Sequence, residues 1–347
     1  MHRSPTGLAA ATAAAAPLGS GAPALALAHP VARPRAVTVP GRADVTAAHS
    51  RIWRHVAVTP LLLSPGLGGR TFLKDETVQA TRSFKLRGAL SALTVPPVGE
   101  AVVTASAGNH GLGIARAAWL LGREATVVVP ENASRTKVDA LRAYPTTIVE
   151  HGLGYDEAER HALALGNGRA RFVSAYNDPD VIAGQGTIAL EILSRVPAPC
   201  TIVAAIGGGG LVSGLALWAS GVPGVRVIGV EGAGAPAMRA ALDVGRITKI
   251  PLRPTLADGL GGNLEPGSVT YDLVHRYVDD VVVVSEEEIR AAIRFLALEH
   301  DLLAEGAGAT AVAALLAGRV RDDGNPVVAV VSGGNIDAEL LAAVLAS

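Results

Sequence analysis

At 347 residues the chain is long enough for two lobes of about 150 residues each. Its 30 Lys+Arg and 31 Asp+Glu leave a formal net charge of -1, so it carries no basic footprint for nucleic acid or an anionic membrane surface. The single cysteine, Cys200, excludes an internal disulfide and a cysteine-built metal cluster, and 3% aromatic content leaves little for stacking on bases.

The first stretch, residues 1–41, is rich in Ala, Pro and Gly. Pro17, Gly19, Gly21 and Pro23 break every apolar run well short of the ~20 residues of a membrane span. MHR followed by alanines imitates a secretory signal, with ALALAHP in place of a cleavage site, but the breaks make a disordered extension the expected state.

From Ala43 onward, continuous apolar runs recur: Ala101–Ala105, Ala125–Val129, Thr201–Ile206, Val227–Val230 and Val327–Val331. Runs without alternation are expected of strands covered on both faces of a parallel sheet. Between them lie helical patterns. Ser285 and Glu288 form a capping box, after which Ile289, Ile293, Leu296 and His300 step along one face. Alternation of strand and helix predicts an α/β fold with crossover connections.

The chemistry sits at the junctions. Before an apolar helix comes Thr81-Arg-Ser-Phe84-Lys85-Leu-Arg-Gly88, in which Lys85 is flanked by Phe and Leu. An isolated lysine is ordinarily a solvated surface group; a half-buried one has a lowered pKa and becomes a nucleophilic amine. After the run at 101–105 comes Ser106-Ala107-Gly108-Asn109-His110-Gly111, which offers hydroxyl, amide and bare backbone donors at a helix start. Ser106 and Asn109 could equally be helix caps, and His110 a packed structural histidine. After the run at 201–206 comes Gly207-Gly208-Gly209-Gly210, four glycines where a tight turn needs one or two. Successive N–H groups opening a helix make an anion site, here read as a phosphate site. A dinucleotide fingerprint fits poorly because Val212 stands where the third glycine belongs, and no GxxxxGK[ST] motif is present. The last run precedes Ser332-Gly333-Gly334-Asn335 and one more hydroxyl. An anion cradle, an amine and a neutral hydroxyl at strand ends suit pyridoxal 5′-phosphate.

On these segments, together with Thr59–Leu62, Asp178–Leu193, Ala257–Gly259 and Glu305–Ala309, the sequence resembles the fold-type II pyridoxal-phosphate enzymes. The likeness is to the threonine/serine dehydratase and serine racemase group, from about Ala43 to the C-terminus. It implies two open, twisted, mainly parallel sheets with helices on both faces, as in tryptophan synthase β. Residues 42–104 and 178–347 would form a large cofactor domain, with 105–177 inserted as a small one. It also implies roles. Lys85 would bind the cofactor covalently and move the substrate's Cα proton. Gly207, Gly208, Gly209, Gly210 and Leu211 would hold the phosphate, Asn109 the 3′-oxygen, Phe84 the ring and Ser332 the pyridine nitrogen. Ser106, Ala107, Gly108, His110 and Gly259 would meet the amino-acid substrate. The resemblance further implies a cytoplasmic homodimer that binds neither nucleic acid nor membrane.

Departures narrow the expectation. Racemases of the group carry a second serine where this chain has Ala107, so one base on one face favours elimination. A divalent-metal site in relatives would need an acidic residue six positions after Glu231, and Ala237 stands there. Leu260–Ser268 differs from the usual threonine dehydratase stretch, and Gly261 and Gly262 leave room for a larger β-substituent. The chain ends twelve residues after Asn335, short of a C-terminal regulatory domain. The expected activity is that of an ammonia-lyase converting a β-hydroxy-α-amino acid to a 2-oxo acid and ammonia. The alternatives are β-replacement, racemisation and a non-catalytic binding protein.

Overall fold

A computed structural model describes residues 35–95, 100–167 and 170–346, so most of the Ala/Pro-rich extension lies outside the described residues. In chain order the strands are β1 (Leu61–Leu63), β2 (Thr71–Asp75), β3 (Val102–Ala105), β4 (Ala125–Val129), β5 (Thr147–Glu150), β6 (Arg171–Phe172), β7 (Cys200–Ala205), β8 (Val225–Gly232), β9 (Asp280–Val284) and β10 (Val327–Val331). The helices are α1 (Arg42–Ile52), α2 (Lys85–Leu93), α3 (Asn109–Leu121), α4 (Arg135–Arg142), α5 (Tyr155–Gly166), α6 (Pro179–Leu193), α7 (Gly210–Ala219), α8 (Ala237–Val244), α9 (Val269–Tyr277), α10 (Glu286–His300), α11 (Gly306–Leu316) and α12 (Ala338–Ala346).

The strands form two sheets, a six-stranded one in the order β1-β2-β10-β7-β8-β9 and a four-stranded one in the order β5-β4-β3-β6. Every pairing is parallel except β1 with β2 at the edge of the larger sheet. All six residues of β7 are buried, which is why its run shows no alternation. β10 lies beside it, pairing Val327 with Thr71 on one flank and Thr201 on the other. β3 hydrogen-bonds within the four-stranded sheet, so that sheet begins at Val102 and not after residue 104 as expected. Residues 35–41, expected in the extension, run without helix or strand up to α1, and Arg35 is hydrogen-bonded to the body of the protein.

Close helix packing explains part of the glycine content. A Cβ on Gly214 of α7 would lie 2.4 Å from the Ile182 carbonyl and 2.6 Å from the Gly186 nitrogen, both in α6. At α10 the expected capping box is present, with Ser285 Oγ accepting from Glu288 N–H and Glu288 accepting from Ser285 N–H. His300, at the end of that helix, bonds Ser64 Oγ at 2.7 Å.

Behind α2 lies a buried cluster of two cations and two carboxylates. Arg87 donates to Glu76 through Nε and Nη2, both at 2.8 Å, and to Glu191 through Nη1 at 2.6 Å. Lys74 Nζ completes it with bonds to Glu191 at 2.5 Å and the Thr59 carbonyl at 2.7 Å. Pairing on every side is what makes buried charge tolerable. It also fixes α2, whose first residue is Lys85.

Candidate active site

A cavity of about 810 Å³ opens where the C-terminal ends of β3, β7 and β10 meet the start of α2. Its lining includes every residue expected to meet cofactor or substrate: Lys85 with Phe84; Ser106 through His110; Gly207 through Leu211; Gly259; and Ser332. In open sheets this is the edge at which ligands gather.

Lys85 is presented by a stapled turn. Phe84 N–H donates to the Ser332 carbonyl at 3.0 Å, Ser83 bridges Gly333, and Asn335 Nδ2 donates to the Thr81 carbonyl at 2.9 Å. Arg82 adopts φ +54°, a left-handed conformation costly for a side-chain-bearing residue, and is held there by its guanidinium on the Gly334 carbonyl at 2.9 Å. The amine itself donates to the Ala175 carbonyl at 2.8 Å and stands 5.1 Å from the Phe84 ring centroid. Among the described residues it forms no ion pair. Burial pulls the Lys85 pKa down from 10.5 to about 8, against the opposing pull of the Glu305 charge.

The tetraglycine loop is a cradle that side chains could not share. A Cβ on Gly208 would lie 2.2 Å from Tyr176 Cγ, and one on Gly210 2.9 Å from Tyr176 Cα. Gly209 has φ +89° and stands at the N-cap of α7, where it offers no side chain to the first-turn N–H groups. Uncapped amides at a helix start, lining a cavity beside a lysine, fit an anionic group. With the buried hydroxyl of Ser332, which reaches the Ala307 carbonyl at 3.5 Å, the donor set fits pyridoxal phosphate.

The loop after β3 is equally cramped: a Cβ on Gly111 would lie 2.1 Å from the Ser106 carbonyl oxygen. Ser106 Oγ accepts from Gly108 N–H at 3.1 Å and makes no cap to α3, whose N-cap is Gly108. His110 is buried, with Nε2 3.2 Å from the Val173 carbonyl oxygen. Burial, and then the nearby Lys85 charge, push its pKa down from 6.5 to about 3, so it is a neutral imidazole at physiological pH.

Two residues without an assigned role belong to this site. Glu305 is buried, borders the cavity and accepts from Asn109 Nδ2. Burial, and then the Asp258 charge, raise its carboxyl to about 7, against the opposing Asn109 hydrogen bond. Its sequence signal was its place in Glu305–Ala309. Tyr176, packed on Gly208, carries no comparable local signal.

Glu231, the candidate metal ligand, has another occupation. Its carboxylate accepts from Met238 N–H at 2.8 Å and Arg239 N–H at 2.7 Å, capping the first turn of α8. The described residues contain no cluster of three or more His, Cys, Asp or Glu able to hold a metal. Nor do they contain a helix long and apolar enough to cross a membrane.

Comparison with known proteins agrees with this geometry. The family described as "Pyridoxal-phosphate dependent enzyme" matches residues 52–333. The L-threonine ammonia-lyase of Geobacter sulfurreducens is 43% identical over 310 residues, 87% of this chain and 77% of that protein. Maize serine racemase is similar in structure, with TM-score 0.83 and 32% identity, over 88% of this chain and 97% of that one. The processed form of threonine deaminase isoform 2 from Solanum lycopersicum gives TM-score 0.80 and 32% identity, over 89% of this chain and 90% of that one. An uncapped glycine cradle, an amine of lowered pKa and a buried neutral hydroxyl thus coincide with a match over most of the sequence, and the chain belongs to the fold-type II pyridoxal-phosphate dependent enzymes.

Proposed function

We propose that the protein is an ammonia-lyase that removes water and then ammonia from threonine or a similar β-hydroxy-α-amino acid, leaving a 2-oxo acid. The observation that carries this reading is Lys85: an amine with a pKa of about 8, lining the same cavity as Gly207–Gly210. Pyridoxal phosphate, when bound, supplies an electron-withdrawing ring that acidifies the Cα–H of an attached amino acid.

The protein's own groups do the rest. The N–H groups of the tetraglycine loop and of Leu211 would hold the phosphate, and Asn109 and Ser332 would orient the ring. Ser106 and the backbone from Ala107 to His110 would hold the substrate carboxylate, with Gly259 lining the same cavity. Near pH 8 the Lys85 Nζ exists in both protonation states, so it can take the Cα proton and give it up again. Ala107 carries no titratable group that could act on the opposite face, which favours elimination over inversion. Ser332, a neutral donor, would meet the ring nitrogen without forcing a charge onto it.

Threonine heads the substrate list because relatives that are L-threonine ammonia-lyases reach 43% identity over most of the chain. A homodimer, a cytoplasmic location and a small domain inserted in a large one belong to the same proposal, on the family resemblance. The test is a panel of serine, threonine, 3-hydroxyaspartate and phenylserine, each scored for 2-oxo acid and ammonia. Equal amounts of the two from threonine, without added nucleophile, support the lyase; a new amino acid formed only with a nucleophile supports β-replacement instead. Inverted amino acid without ammonia contradicts the proposal.

A further inference from the structure

Arg35 makes a bidentate pair across 230 positions of sequence, Nε to Glu265 Oε1 and Nη2 to Glu265 Oε2, both at 3.0 Å. The same Nη2 donates to the Asn177 carbonyl at 3.0 Å, and the guanidinium stands 5.1 Å from the Phe172 ring centroid. The two side chains are 26% and 14% exposed, so this is a largely buried pair and not a surface contact. Neither residue lines the cavity.

Both ends of the pair lead to the glycine cradle. Glu265 N–H donates to the Tyr176 hydroxyl at 2.9 Å, and the Tyr176 ring fills the space where Gly208 would carry a Cβ. On the same side, Val269 N–H donates to Asn177 Oδ1 at 3.1 Å and Thr270 Oγ1 donates to the Gly208 carbonyl at 2.7 Å. Two segments, 176–177 and 265–270, therefore meet at Gly208, and Arg35 adds a further tie between them beside the Tyr176–Glu265 and Asn177–Val269 bonds. A run of four glycines loses much conformational freedom when it closes on an anion, so a brace that holds it in place raises affinity without touching the ligand.

We propose that Arg35 is a positioning residue for the cofactor cradle: by tying Glu265 to Asn177 it fixes Tyr176 against Gly208 and so sets the affinity for the phosphate of the cofactor. This rests on the reading that the cavity holds pyridoxal phosphate.

The test uses the full chain stripped of cofactor and titrated with pyridoxal phosphate, following the absorbance of the bound form, with apoprotein melting measured alongside. Arg35→Met should raise the Kd about tenfold, Glu265→Gln about as much, and the double variant no further than Arg35→Met alone, because the Arg35–Glu265 pair is lost in each case. Arg35→Lys, which keeps the charge but not the fork, should recover only part of the affinity. A purely structural role for Arg35 lowers the melting temperature of the apoprotein and leaves the Kd at the wild-type value; that result overturns the proposal. If Arg35→Met does not fold, Tyr176→Phe, which removes only the hydroxyl, must raise the Kd, and an unchanged Kd there overturns it equally. Wild-type protein that fails to bind pyridoxal phosphate at all contradicts the underlying reading of the site, an outcome distinct from equal binding by wild type and variant.

Discussion

Asn109 Nδ2 donates to Glu305 Oε1 at 2.5 Å, joining two cavity residues that lie 196 positions apart. Asn335 Nδ2 donates to the other end of the same amide, Asn109 Oδ1, at 2.6 Å. The amide is thereby committed in one orientation, with its N–H₂ end on the carboxyl. Glu305 takes its raised value of about 7 from burial first and Asp258 second, with the Asn109 bond working against both.

Stability should therefore depend on Glu305 in a definite direction. Its pKa is higher in the folded protein, about 7, than its ordinary 4.5, so between those values the native state holds the extra proton. Stability from this group is full below 4.5 and is lost as pH rises toward 7. Glu305→Gln, which keeps an acceptor for Asn109 but cannot ionise, should remove that loss. Urea unfolding of the cofactor-free protein at pH 5 and pH 7 checks it: the drop in stability from this group should be absent in the variant.

Lys85 predicts a second pH dependence. Only the neutral amine attacks a carbonyl, and its pKa of about 8 replaces the ordinary 10.5. The rate at which apoprotein takes up pyridoxal phosphate should rise with pH and level off above about 8. A stopped-flow series should resolve the plateau, whereas a rate still climbing toward 10.5 would mark a solvated lysine.

Gly208→Ala should damage the cradle. The added Cβ would lie 2.2 Å from Tyr176 Cγ, so either the ring or the loop must move. Overpacking of this kind costs about 1–3 kcal/mol, and here the displaced group is the phosphate wall itself. Cofactor affinity measured by absorbance titration should fall more than the melting temperature does.

The cluster around Arg87 should be the costliest place to change a charge. Glu76→Gln leaves Arg87 buried, with one of its two carboxylates neutralised. Removing one partner of a buried pair costs about 3–5 kcal/mol. Chemical denaturation should register a loss of that order, and activity per folded molecule should fall as well, since Arg87 holds the helix that begins at Lys85.

Much of this was legible in the sequence, for a specific reason. Strands covered on both faces, such as β7 and β10, appear as unbroken apolar runs, and each is followed by the loop that carries function. Gly207–Gly210 and Ser106–Gly111 stand out because close backbone approach leaves no room for side chains at Gly111 and Gly208. Pairing partners do not show in an apolar run, so β3 was assignable to the wrong sheet until its bonds to β4 and β6 were seen. β1, three residues at an edge, has no pattern to find. Tyr176 and Arg35, and the partner of Glu305, were hidden for another reason: each acts on a segment tens to hundreds of positions away. Only the folded chain brings Tyr176 onto Gly208 or Arg35 onto Glu265.

The central claim is that Lys85 is the amine that holds pyridoxal phosphate in this cavity. Treating the cofactor-loaded protein with borohydride makes a lysine–cofactor linkage permanent, and mass spectrometry of the digested protein locates it. A single pyridoxyl group is expected on Lys85 and none anywhere in Lys85→Ala. A pyridoxyl group on another lysine of the wild-type protein, or on none, would contradict it.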